Sequence, residues 1–162
     1  MSQTAIVIER SYQASARELW ELWTTKDGFE SWWGPEGFRV QVHVIEPRVG
    51  GALDYDMIAD GAEQIAWMKK EGMPLSHGTR GTFTLVEPYA RLRLTHIIDF
   101  LPDIPPYENN ILVELVPAGS EVRMIVRIDP HVDETWTQRS VEGFTSQLTK
   151  LPGALAQHRS AR

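Results

Sequence analysis

The chain has no cysteine among its 162 residues. Disulfide staples, cysteine-ligated zinc and thiol nucleophiles are therefore excluded, and a reducing, cytoplasmic compartment is the expected setting. No run of about 18 apolar residues occurs, so no membrane-spanning helix is expected. The opening MSQTAIVIERSYQ meets Glu9 and Arg10 after a very short apolar stretch and does not read as a signal peptide. Basic residues are few and scattered: 16 Lys and Arg stand against 22 Asp and Glu, a formal net charge of −6. Nucleic acid is not an expected partner, because a phosphate-binding surface concentrates positive charge on one face. Without a basic amphipathic helix, membrane-surface anchoring is not expected either. Catalytic motifs are also missing. The histidines at 43, 77, 96, 131 and 158 show no HExxH or other close ligand spacing, and neither a GxSxG elbow nor a phosphate-cradling glycine loop occurs. No cofactor, metal or catalytic residue is expected, which leaves a small molecule or another protein as partner.

What is present is a core of the size one domain needs: 42% of the residues are hydrophobic, and residues 1–162 are read as a single domain. AIVIERSYQ (5–13) has strand composition. Ser15 and Glu18 then form a capping box, so a helix starts at Ser15 and carries Leu19, Trp20, Leu22 and Trp23 on its apolar stripe. Thr24-Thr25 caps a second short helix through KDGFESWW, which Gly34-Pro35-Glu36-Gly37 ends. Alternating strands follow at 38–46 (Phe38, Val40, Val42 and Val44 on one face), 53–58, 80–87 (Phe83 and Leu85), 91–100, 110–116 and 121–129. The last two are joined as a hairpin by Ala118-Gly119-Ser120. A final helix begins at the N-cap Asp133, places Val141, Phe144, Leu148 and Leu151 at helical spacing, and ends or kinks at Pro152-Gly153. About 18 residues at 1.5 Å each give a rod of about 27 Å, long enough to cross a sheet. This order is α+β, with helices packed on one face of an antiparallel sheet.

One connection is too long for a compact domain. Residues 59–78 span about 20 positions where most loops run about 4–6. Glu63 to Lys70 reads as two helical turns with Ile65, Trp67 and Met68 as apolar members and Gly72 behind them. The segment is either a lid over a cavity mouth, a protein contact, or a surface insertion that covers the sheet edge.

The run LWELWTTKDGFESWWGPEGFRVQVHVIEPRVGGALDYDM (19–57), with the PRVGG turn and the C-terminal TWTQRSVEGFTSQLTKL, resembles the START-like, helix-grip superfamily abbreviated SRPBCC. Within it the match is to the branch named for homologues of the activator of the ninety-kilodalton heat-shock protein ATPase. The resemblance implies a curved antiparallel sheet wrapped around the long C-terminal helix, two short helices after the first strand, and a cavity between sheet and helix. The superfamily includes lipid carriers, plant hormone binders and aromatase/cyclases, so the likeness speaks to fold more than to function.

Candidate ligand-binding residues follow from alternation and spacing. Trp32 and Trp33 are adjacent and so cannot share one pocket floor; the resemblance implies one ring packed inward and the other lining the rim, the alternative being that both are packing anchors. His96 alternates with Leu92, Leu94, Ile98 and Phe100 onto the concave face, where an imidazole is either satisfied by a neighbouring Tyr or backbone group or free to orient a ligand or act as a general base. Tyr55 offers a phenol in an otherwise apolar wall. Met57, Met124 and Phe144 read most simply as core, and as adaptable cavity walls if a cavity is present. Asp54 and Asp56 fall on the solvent face. The leading reading is binding of a small hydrophobic or amphipathic ligand. The alternatives are a cyclase/aromatase-like enzyme using His96 and Tyr55, and a chaperone-related interaction module or homodimer using residues 59–78 and an exposed Trp.

Overall fold

The computed structural model describes residues 5–99 and 103–160; Phe100 and the first four residues of the opening stretch lie outside them. The elements run β1 (Ile6–Tyr12), α1 (Ala16–Thr24), α2 (Lys26–Glu30), β2 (Phe38–Ile45), β3 (Ala52–Ala59), α3 (Ala62–Lys70), β4 (Ser76–Glu87), β5 (Arg91–Ile98), β6 (Tyr107–Ala118), β7 (Glu121–Ile128), α4 (Glu134–Leu148) and α5 (Leu151–Ser160). All seven strands form one antiparallel sheet in the order β1-β7-β6-β5-β4-β3-β2. The fold is α+β, an open curved sheet with a long bent C-terminal helix and short helices after the first strand. Strands β1 and β2, consecutive in the chain, stand at opposite edges, so α1 and α2 carry the chain across the sheet. Their Leu19, Leu22, Trp23 and Phe29 pack against Leu53, Phe83, Leu94 and Val113 from the sheet.

Two bulges bend the sheet and reverse the alternation beyond them. In β2 the register slips between Val42 and Val44, so His43 is the extra residue; Val44 turns outward and Ile45 packs against the core. In β4 the slip lies between Phe83 and Leu85. Leu85 then pairs with Arg93 on the outer face, and Val86, opposite the buried Leu92, packs inward. Strict alternation had put Val44 and Leu85 inside; an inserted residue moves every later side chain to the other face.

The helix ends obey local chemistry. Glu18 N–H donates to Ser15 Oγ (3.1 Å), and Ser15 N–H donates to Glu18 Oε1 (2.9 Å). Arg159 of α5 reaches the same carboxylate at 2.6 Å and, as its largest influence, holds the Glu18 pKa down to about 2. Asp133 caps α4 by accepting from Trp136 N–H at 2.8 Å. The C-terminal helix bends rather than stops. A proline ring clashes with the carbonyl four residues back, and four residues before Pro152 is Leu148, where α4 ends. Pro152 itself sits in the first turn of α5, where no N–H is needed.

Helix α3 occupies the long connection. Met68 is buried beneath it, while Trp67 is 56% exposed. Strand β4 starts at Ser76, so part of the stretch expected as loop is strand.

Removing the α1 cap should register directly: Ser15→Ala is expected to lower unfolding free energy by about 1 kcal/mol in chemical denaturation, with an unchanged m-value.

Candidate functional site

Both tryptophans after α2 are buried: Trp32 is 0% exposed and Trp33 5%. Neither ring stands at an exposed rim. Their centroids lie 5.2 Å apart, edge to face, in a cluster with Trp23, Phe29 and Phe144. The polar ends differ. Trp32 Nε1 donates to the Leu22 carbonyl at 2.9 Å, which ties the ring to α1. Trp33 Nε1 donates to the Tyr55 hydroxyl at 3.0 Å, across the sheet.

That hydroxyl also meets His96 Nε2 at 3.1 Å. Trp33, Tyr55 and His96 thus make a buried polar line from the segment after α2 through β3 to β5. The His96 ring stacks at 16° to Trp33, with centroids 6.2 Å apart. Its strand partner is Gly81, where a Cβ would come within 3.3 Å of His96 Cδ2. The imidazole lies on the concave face, 6% exposed, and burial pushes its pKa down to about 4. Burial likewise raises the Tyr55 phenol. At neutral pH both groups are uncharged. With the Tyr55 oxygen accepting from Trp33, its proton is free for His96 Nε2, and the ring keeps its own proton on Nδ1. Nδ1 has no hydrogen-bond partner among the described residues.

The line ends at a cavity of about 580 Å³ between the sheet and the first half of α4. The expected site residues Trp33, Tyr55, Met57 and His96 line it. Trp32, Met124 and Phe144 do not: Met124 accepts a contact from Trp23 Nε1 at 3.3 Å, and Phe144 stacks on Trp23 within the core. Further walls come from positions that patterning did not single out. Phe38 and Ile111 sit on inward-facing strand positions, a signal that was present. Arg139 and Trp136 lie one and two turns before Phe144 on α4, a helical spacing that was also legible. His77 and His131 were hidden, His77 by the glycine-rich start of β4 and His131 by the loop before α4. Burial lowers the pKa of both, against the nearby Asp56 and Asp99 for His77 and Asp129 for His131. Tyr107 OH holds His131 Nδ1 at 2.6 Å. No three His, Asp or Glu among the described residues are grouped to hold a metal ion. Helix α3 contributes no wall residue.

A larger depression of about 770 Å³ runs along the outer side of α4, past Glu134, Gln138 and Glu142. Its lining includes none of Trp33, Tyr55 and His96, and Arg139 borders both spaces.

A curved sheet gripping a long helix, with an open-sided and mainly apolar pocket between, defines a helix-grip protein. The chain belongs to the family described as Activator of Hsp90 ATPase homolog 1-like protein, whose sequence profile matches residues 13–156. Solved structures carry the same fold. The AHSA1 protein from Silicibacter pomeroyi superposes with a TM-score of 0.74 at 24% identity, covering 94% of this chain and 98% of that one. A protein from Chromobacterium violaceum gives 0.72 at 19% identity, with 94% and 96% covered. The AHSA1-like protein from Aeromonas hydrophila gives 0.67 at 17%, with 94% and 93% covered. No curated protein matches the chain significantly. The helix-grip fold commonly binds hydrophobic ligands.

Two measurements probe this geometry. Trp32→Ala is expected to cost about 3–5 kcal/mol of stability, as a large core truncation. For His96, the folded ring stays neutral down to about pH 4 while the unfolded ring takes a proton near 6.5. Stability present above pH 6.5 is therefore lost as pH falls toward 4, by on the order of 3 kcal/mol. His77 and His131 add to the slope with the same sign. His96→Asn should flatten stability against pH across that window in urea titrations, and an unchanged slope would refute the buried neutral ring.

Proposed function

We propose that the protein binds a small hydrophobic or amphipathic molecule in the cavity between the sheet and α4. The observation that carries this reading is an open-sided pocket of about 580 Å³, within the range of about 300–1,000 Å³ usual for ligand sites, with mainly apolar walls and a few converging polar groups. Trp33, Phe38, Met57 and Ile111 supply contact area. His96 Nδ1 supplies orientation, since an unpaired polar group in an apolar wall favours a ligand that satisfies it, and the Tyr55 hydroxyl holds the ring in place from the other side. The ligand-binding set is Trp33, Tyr55, Met57 and His96, with Trp32 and Phe144 packed on Trp33 and Met124 behind Trp23. One helix-grip domain over residues 1–162, in the cytoplasm, is the setting that fits a chain without cysteine.

A cyclase-like reaction through His96 and Tyr55 draws less support. A general acid–base pair is tuned toward neutrality, whereas burial moves the His96 pKa down and the Tyr55 pKa up. A protein partner or second copy is supported by one separate feature: Trp67 and Met73 are exposed on and after α3, away from the cavity. No helix among the described residues is long and apolar enough to cross a membrane.

The test is binding of an uncharged apolar dye, followed by fluorescence. Saturable binding is expected, and Ile111→Trp or Ile98→Trp should abolish it by filling the space while the thermal melt stays cooperative. Binding that survives both substitutions in a folded protein would place the dye elsewhere and remove the proposal.

A further inference from the structure

The cavity walls carry one formal charge among the described residues, the guanidinium of Arg139. The other ionisable wall residues are Tyr55, His77, His96 and His131, and burial disfavours the charged form of each. Arg139 forms no ion pair with a described carboxylate. Glu142, one turn on, is instead engaged by Gln138 Nε2 at 3.2 Å. The guanidinium lies over the Trp136 ring, 4.9 Å from its centroid, which fixes its plane without using its hydrogen-bond donors.

The position along the helix matters as much as the charge. Arg139 precedes Phe144 by five residues, about 7.5 Å of helix. Phe144 packs on Trp33, so Arg139 lies toward the other end of the space. Ser140, Asn109 and His131 line the cavity with it. The cavity is thus amphipathic along its length: aromatic and aliphatic at the Trp33 end, cationic and hydrogen-bonding at the Arg139 end.

We propose that the ligand is an anionic amphiphile, a carboxylate on an apolar body, with the carboxylate held by Arg139 and the body laid along Trp33, Phe38, Met57 and Ile111. This rests on the reading of the cavity as a ligand site and names its ligand class. A planar guanidinium donates two parallel hydrogen bonds to a carboxylate, an arrangement that a neutral head cannot match and that an ammonium head meets with repulsion. The neutral histidines complete the head site with hydrogen bonds and add no charge.

The experiment compares three probes of equal chain length by titration calorimetry, each below the concentration at which it self-associates: dodecanoate, dodecanol and dodecylammonium. The expected order is dodecanoate tightest and dodecylammonium weakest. Arg139→Gln should weaken dodecanoate by about 10–100-fold, to the level of the alcohol, and leave dodecanol unchanged. Arg139→Lys should recover part of the loss. Ile111→Trp should abolish the preference, which separates the cavity from surface binding. Equal affinity for the three probes, a preference for the cation, or no binding of dodecanoate would overturn the anionic assignment. In each of those cases, displaceable dye binding tells whether the cavity itself is a ligand site: dye bound and blocked by Ile111→Trp leaves that reading standing, and no dye bound removes both.

Discussion

The turn at Gly34-Pro35-Glu36-Gly37 is what the rest of the molecule hangs from. Gly34 N–H donates to Gln147 Oε1 at 2.9 Å, and Glu36 N–H to Ser146 Oγ at 2.9 Å, so two backbone groups of the turn are held by the last turn of α4. Lys150 Nζ reaches the Phe38 carbonyl at 3.2 Å from the same side. The turn needs φ of +96° at Gly34 and +89° at Gly37, and at Gly34 a Cβ would also stand 3.3 Å from Met57 Sδ. Gln147 is a suitable partner because a neutral acceptor can be buried there at modest cost, whereas a carboxylate would bring a charge. The cost is visible: Gln147 Nε2 is buried without a partner among the described residues.

From that clamp the cavity follows. The C-terminal half of α4 is pinned against the core, where Phe144, Gln147 and Leu148 are buried. The N-terminal half, with Trp136, Arg139 and Ser140, is anchored by its Asp133 cap and stands over the concave sheet instead of packing into it. A helix held at one end above a curved sheet leaves space at the other. The bulges at His43 and Thr84 act in the same direction, since each adds local twist to one side of the sheet.

Much of this was legible in the sequence, and what was not has a physical reason. The capping box at Ser15, the N-cap at Asp133, the hairpin at Gly119-Ser120 and the concave placement of His96 all depend on local spacing, which a single chain displays. The bulges do not, because an inserted residue leaves no signature in an apolar pattern until the partner strand is known; Val44 and Leu85 were therefore assigned to the wrong face. The adjacent tryptophans illustrate the same limit. Periodicity demands that neighbours diverge on a regular element, but Trp32 and Trp33 lie past the end of α2, where the chain turns and both rings reach one cluster. Among the cavity walls, residues on regular elements were accessible to pattern reasoning, while His131 depended on where a loop folds back.

The two sets of residues differ in what they cost the fold. Trp23, Trp32, Phe29 and Phe144 are buried and mutually packed, so a change in any of them is felt as lost stability. Arg139 is exposed at the edge of the pocket, so its replacement has little effect on folding. The clamp and core are carried by the second half of the helix, and the proposed head-group contacts fall on its first half. Structures at 17–24% identity share the fold alone, so the ligand class proposed above rests on this chain's own first half of α4 and the strand positions opposite it.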